Sequence, residues 1–192
     1  MPIPFVPYQK EYQEQIRILA ALLHGQLGSP KSADFMIPSL YPPLAGIFRQ
    51  REVEIGIIEK ATRAGSDPLS TDKYLLISMP CSCTLQMYIG PKGRLWKLQS
   101  LMWWRHISIG NKTLDNSYTI TTPERLRSRR LLSHKKTQNF LLQLSPFHTL
   151  RMDNRRFRLR YLITSQQVFQ ARALGGVLHR LDRLARLAEN LA

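Results

Sequence analysis

Apolar residues recur every three or four positions at the start of the chain, at Tyr8, Tyr12, Ile16, Leu19 and Leu22/Leu23. That spacing predicts an amphipathic helix from about residue 7 to 24, with Gly25, Gly28 and Pro30 ending it. The next stretch, 29–43, holds Pro30, Pro38, Pro42 and Pro43 and reads as an extended connection. From residue 44 the period shortens to two: Val53, Ile55 and Ile57 alternate with polar neighbours, as in a half-buried strand. Short strands are expected again over 74–79, 84–89, 106–110 and 118–121. A loop is expected over 61–72 around Gly65-Ser66-Asp67-Pro68, and a turn at Gly90-Pro91-Lys92-Gly93.

Thr121-Thr122-Pro123-Glu124 marks a helix start, with either threonine as the cap. Leu126 and Leu131 or Leu132 are expected to face inward there, and Arg125, Arg127, Arg129 and Arg130 mostly outward. A second helix is expected from His134 to Leu144, with Ser133 as its cap. Asp153-Asn154 has hairpin chemistry between strands over 149–152 and 156–163. In the latter, Phe157, Leu159, Tyr161 and Ile163 alternate with Arg156, Arg158 and Arg160, so the arginines must face away from the core. Leu174, Val177, Leu181, Leu184, Ala188 and Leu191 follow the seam of a long terminal helix. Gly175-Gly176 weakens that helix by about 1 kcal/mol per glycine relative to alanine unless close packing there compensates. The order of elements predicts an α+β fold, an antiparallel sheet covered on one face by helices, with an N-terminal amphipathic helix and a long C-terminal helix. The expected organisation is a helix in 1–28, the Pro-rich connection in 29–43 and a single domain in 44–192.

The segment Ile107-Ser-Ile-Gly-Asn-Lys-Thr-Leu-Asp115-Asn-Ser-Tyr118-Thr-Ile120 leads into a Leu-Leu-containing helix, a hairpin and a long helix. This pattern resembles uncharacterised bacterial domains that carry Ile/Val-Gly, three residues, Phe or Leu, Asp, two residues, Tyr or Phe, one residue, then Ile or Val. The resemblance spans about residues 44–190 and implies a fold, not an activity. Read physically, Gly110 permits a positive φ at a strand end, and Asp115 is expected to accept hydrogen bonds from backbone N–H groups two residues on, fixing a structural turn into the Tyr118 strand.

With 192 residues, 43% of them apolar, the chain can bury a real core. Two cysteines cannot make a disulfide framework. The longest aliphatic run, Ile18 to Leu23, falls far short of the roughly 20 residues that span a bilayer. The first residues lack the charged-then-apolar order of a secretory signal, so a cytoplasmic location, or one peripheral to a membrane, is expected. Charge changes the picture more. Residues 1–90 hold eight basic and eight acidic side chains; of the 28 basic and 13 acidic in all, the rest lie in 91–192, so the net +15 belongs to the second half. Such an excess repels itself in a compact fold and is expected to meet an anionic partner: a nucleic-acid backbone, an acidic protein or an anionic lipid surface.

Candidate chemistry adds little. Phosphate-binding, dinucleotide, nucleophile-elbow and zinc-protease motifs are absent from the sequence. The histidines are scattered, and Cys81-Ser82-Cys83 lacks the partners of a metal site, so reduced structural thiols are expected. An enzyme would need a pocket that gathers His106 or His148 with Asp115 or another acid. No catalytic residue, metal, cofactor or small-molecule substrate is therefore expected. Trp96, Trp103 and Trp104 interleave with Arg94, Lys97 and Arg105, and at least two of these tryptophans are expected in the core. The candidate anion-binding residues are Arg125, Arg127, Arg129, Arg130, Lys135 and Lys136, joined by Arg156, Arg158 and Arg160 if the helices abut the hairpin. The reading is a non-catalytic binding or scaffold domain. The alternative is a structural subunit of a larger, membrane-associated assembly reached through the N-terminal helix.

Overall fold

A computed structural model describes residues 8–27, 43–62, 70–92, 105–163 and 171–191. The Pro-rich stretch up to Pro42, the Gly65–Pro68 turn and the three tryptophans lie outside the described residues. The elements in chain order are α1 (Tyr8–Leu22), β1 (Gln26–Leu27), β2 (Leu44–Phe48), β3 (Arg51–Thr62), β4 (Ser70–Pro80), β5 (Met87–Pro91) and β6 (Arg105–Ile107). They continue as α2 (Lys112–Ser117), β7 (Tyr118–Thr122), α3 (Arg125–Ser133), α4 (Lys135–Leu144), β8 (Thr149–Asp153), β9 (Arg156–Ile163) and α5 (Ala171–Leu191). The fold is α+β.

Among the described residues the strands form one nine-stranded antiparallel sheet, ordered β1-β2-β3-β4-β9-β8-β5-β7-β6. Its two edge strands are only two and three residues long. Strand alternation sets one side of the sheet apart. The register lines up Leu44, Ile55, Ile77, Leu159, Leu150, Ile89, Ile120 and Ile107 as one row of aliphatic side chains across eight strands. None of the eight is more than 3% exposed, and each belongs to the same core as Leu19, Leu23, Leu114, Leu131, Leu141 and Leu181 of the helical segments.

Several boundaries differ from the expected ones for identifiable reasons. β3 and β4 continue their ladder to Thr62↔Ser70, so the described residues of the loop expected over 61–72, at 61–62 and 70–72, are strand. The strand expected from Thr84 begins only at Met87. Leu85 N–H donates to Cys83 Sγ, and the N–H of Gln86 donates to the Glu124 carboxylate, so these groups are taken by side chains instead of a ladder. The run expected over 106–110 stops at Ile107, and 112–117 is the short helix α2. β2 and β3 are joined through Arg49 and Gln50, with φ of 49° and 69°, the left-handed pair that a two-residue hairpin needs.

α1 belongs to the same body as the sheet. Leu19 and Leu23 are fully buried, whereas Ile18 and Leu22 face solvent. Gly46 makes this approach possible: a Cβ there would sit 2.7 Å from that of Leu23. Ile47 N–H then donates to the Leu23 carbonyl at 2.9 Å. At the other end of the chain, α5 buries Leu174, Leu178, Leu181, Leu184, Ala185 and Ala188 together with Asp182. This stripe is wider than the expected seam, and Val177 and Leu191 are only partly buried. Asp182 and Glu189 are held by Arg51. Its guanidinium donates to both Glu189 oxygens at 2.8 and 2.6 Å, to Asp182 at 3.0 Å and to the Pro80 carbonyl at 3.0 Å. Arg186 and Arg49 complete the cluster around Asp182.

Among the described residues nothing packs on Gly175: a Cβ there meets none of their atoms within 4 Å. Gly175→Ala is therefore expected to stabilise the protein by about 1 kcal/mol, through the lower helix cost of alanine. Equilibrium urea unfolding of the two proteins measures it; equal midpoints would refute it.

Candidate functional site

The site is built on α3 and α4. Thr122, the last residue of β7, is fully buried; its hydroxyl donates to the Gln86 carbonyl at 2.7 Å and shares a 2.7 Å bond with the hydroxyl of Ser128. It also accepts from Glu124 N–H. Thr122 thus fastens α3 to Gln86, the residue before β5, and the cap position falls to Glu124, whose side chain makes no cap bond. The Glu124 carboxylate is engaged instead by Gln86 N–H and by Arg127, at 2.5 Å. α4 is likewise capped by His134, not Ser133, with His134 Nδ1 accepting from Lys136 N–H. Gln138 ties α4 down by donating to the carbonyls of Leu132 and Ile109.

This attachment fixes which arc of α3 meets water. Ser128, Leu131 and Leu132 are buried; Arg125, Arg129 and Arg130 are exposed, as are Lys135 and Lys136 at the start of α4. Leu126, expected inward, is instead 85% exposed. The inward arc of α3 is centred on Ser128 and Leu132, and a residue two positions before Ser128 lies on the opposite side of a 3.6-residue turn. Residues 125–144 carry six Lys/Arg and no Asp/Glu. Of the six, Arg127 has an ion pair with Glu124; the other five have no carboxylate partner among the described residues.

Arg156, Arg158 and Arg160 do not join them. On β9 they alternate with Phe157, Leu159 and Tyr161, and the Tyr161 hydroxyl donates to the Leu144 carbonyl at the end of α4. The strand arginines therefore point away from the side of the sheet on which Tyr161 meets the end of α4. Two of those arginines have acid partners within the chain. Arg156 donates to the Ser78 hydroxyl at 2.9 Å and lies 3.4 Å from the Glu54 carboxylate. Arg158 pairs with Asp153, as does Arg151, which the sequence reading missed because it precedes the hairpin by itself. Arg160 has no acid partner among the described residues; burial pulls its pKa down, partly offset by the Tyr88 phenol, with the Arg151 and Arg158 charges adding to the fall.

Gly110 adopts φ 77°, where a side chain would be strained. Asp115 makes different bonds from those expected. Its carboxylate accepts from Ile109 N–H at 3.1 Å, Gly110 N–H at 2.9 Å and the Ser108 hydroxyl at 2.8 Å. It reaches back because it lies on α2, where side chains lean toward the helix N-terminus. Burial alone would raise its pKa, but these hydrogen bonds outweigh that and hold it below its ordinary value. His106 lies close enough to add to that lowering, while His148, just before β8, makes a tilted ring contact with Tyr74 of β4, and β5 and β7 lie between β8 and β6. Of the two histidines, His106 is the one placed near Asp115.

Cys81 and Cys83 are both free and buried. Cys81 lies 3.7 Å from the Ala185 carbonyl of α5, and burial pushes its thiol up to about 12. Among the described residues no group of three or more His, Cys, Asp or Glu is placed to hold a metal ion, and no helix is long and apolar enough to cross a membrane.

No protein-family model matches the sequence, and no curated protein matches it either. In structure the chain is similar to the crystal structure of the mycobacterial trehalose monomycolate transport factor A, TtfA. The TM-score is 0.57 at 9% sequence identity, over 96% of each chain. At that identity the likeness is one of fold.

Proposed function

We propose that this protein is a non-catalytic binding module that docks the α3–α4 face of its basic half on an anionic partner. One observation carries the reading: Arg125, Arg129, Arg130, Lys135 and Lys136 are exposed around one short helical pair without a neutralising carboxylate among the described residues. The strand arginines, by contrast, have internal partners at Arg156 and Arg158. The same reading takes the helices as a layer over the aliphatic side of the sheet, which turns α3 and α4 outward as the docking surface. A structural role in a larger, membrane-associated assembly is the second reading. α1 uses Leu19 and Leu23 within its own body, so only Ile18 and Leu22 of its described side chains offer an apolar contact to a neighbour.

Heparin chromatography tests the first reading. Wild type is expected to elute at high salt, and the combined alanine variant of Arg125, Arg129, Arg130, Lys135 and Lys136 at much lower salt. Arg156→Ala and Arg158→Ala are expected to leave elution unchanged. If the partner is a nucleic acid, affinity should fall with salt at a log-log slope of about −5 for roughly six neutralised phosphates. Identical elution of wild type and the fivefold variant would refute the assignment.

A further inference from the structure

We infer that the α3–α4 face docks on the surface of an anionic lipid bilayer, with the Leu126 side chain inserted below the headgroups; this rests on the anion-docking reading above. Leu126 is the most exposed of the large apolar side chains described, at 85%, and the buried side of α3 holds it there. Arg129 and Arg130 follow it by three and four positions and flank it on the same face, with Arg125 beside it. The nearest carboxylate, Glu124, is tied to Arg127 and to Gln86 N–H.

An aliphatic side chain ringed by cations suits one of the three anionic partners best. A phosphate backbone offers nothing apolar to receive it, and bases are gripped by aromatic stacking, which leucine cannot supply. A flat acidic protein face would leave it in water. In a bilayer the leucine reaches the acyl boundary while the long arginine and lysine stems keep their charges at the headgroups. The geometry allows both at once, because cations and leucine share one arc. Each cation near an anionic leaflet is worth about fivefold in partitioning, and burying the leucine adds about tenfold or more.

Co-sedimentation with vesicles tests this. Wild type is expected to sediment with vesicles of phosphatidylcholine mixed with phosphatidylglycerol and not with phosphatidylcholine alone. Leu126→Ala and Leu126→Gln are expected to lower partitioning by about tenfold. Both should keep wild-type thermal melting and heparin elution, since the side chain touches water and carries no charge. Equal vesicle binding by wild type and Leu126→Gln would overturn insertion. Retained heparin binding without vesicle binding, or tight binding to an oligonucleotide or an acidic protein that ignores Leu126, would overturn the bilayer and spare the docking reading. Loss of heparin and vesicle binding together would overturn both.

Discussion

Arg51→Ala is expected to remove about 3–5 kcal/mol of folding stability, the range for breaking a largely buried ion pair from one side. Arg51 supplies four hydrogen bonds to buried or half-buried groups: two to Glu189, one to Asp182 and one to the Pro80 carbonyl. Asp182 is fully buried, so the variant leaves its charge to Arg186 and Arg49, whose side chains are about half exposed. For a chain of this size the loss corresponds to a fall in Tm of roughly 6–20 °C, measurable by calorimetry. A second signature separates the ion pair from mere lost packing. Hydrogen bonding to Arg51 holds the Glu189 carboxyl below its ordinary 4.5. A depressed folded pKa gives stability that is complete above the unfolded value and is lost as pH falls through the folded one. Wild type should therefore lose stability on acidification below about pH 4.5, and Arg51→Ala should lose visibly less over the same interval. Parallel acid limbs would show that the pair is not the source.

Phe157→Ala is expected to cost about 3–5 kcal/mol through lost burial and the cavity left behind. Phe157 is fully buried at the middle of the sheet, directly opposite Met79 on β4 and Met152 on β8. Methionine is the most adaptable neighbour a cavity can have, so partial collapse should place the measured loss toward the lower end. Phe157→Leu should recover part of it. Equilibrium urea unfolding reads both, and a loss below about 1 kcal/mol for the alanine variant would contradict the register that puts this ring at the centre.

The parts of the fold legible in the sequence are those where a short period meets a strong contrast. β9 alternates arginine with Phe157 and Leu159, β3 alternates glutamate with Val53 and Ile55, and α5 repeats leucine at three and four; each appears with the expected face buried. The hairpin between β2 and β3 was illegible because Arg49 and Gln50 take left-handed backbone without the Asn or Gly that marks such a turn. Leu126 was misplaced because a nine-residue helix offers too few apolar positions to fix its inward arc. Ser128, a small polar residue, turned out to define that arc through its bond to Thr122. The Arg51–Glu189 pair joins residues 138 apart in the chain, a relation no local pattern encodes. For the site itself, composition identified the cations, but only three-dimensional placement separated the helical set from the ion-paired arginines of β9.

The adjacency of β4 and β9 has a consequence for the nascent protein. Their register joins Pro80 to Arg156, so β4 leaves the ribosome with Leu75, Ile77 and Met79 already apolar and one edge without its neighbour. At about 5–20 residues per second, β9 follows some 4–15 s later. Through that interval the β4 edge that β9 covers in the finished fold lacks its partner, and any early pairing of the first strands would leave that edge open to another extended chain until a chaperone or β9 covers it.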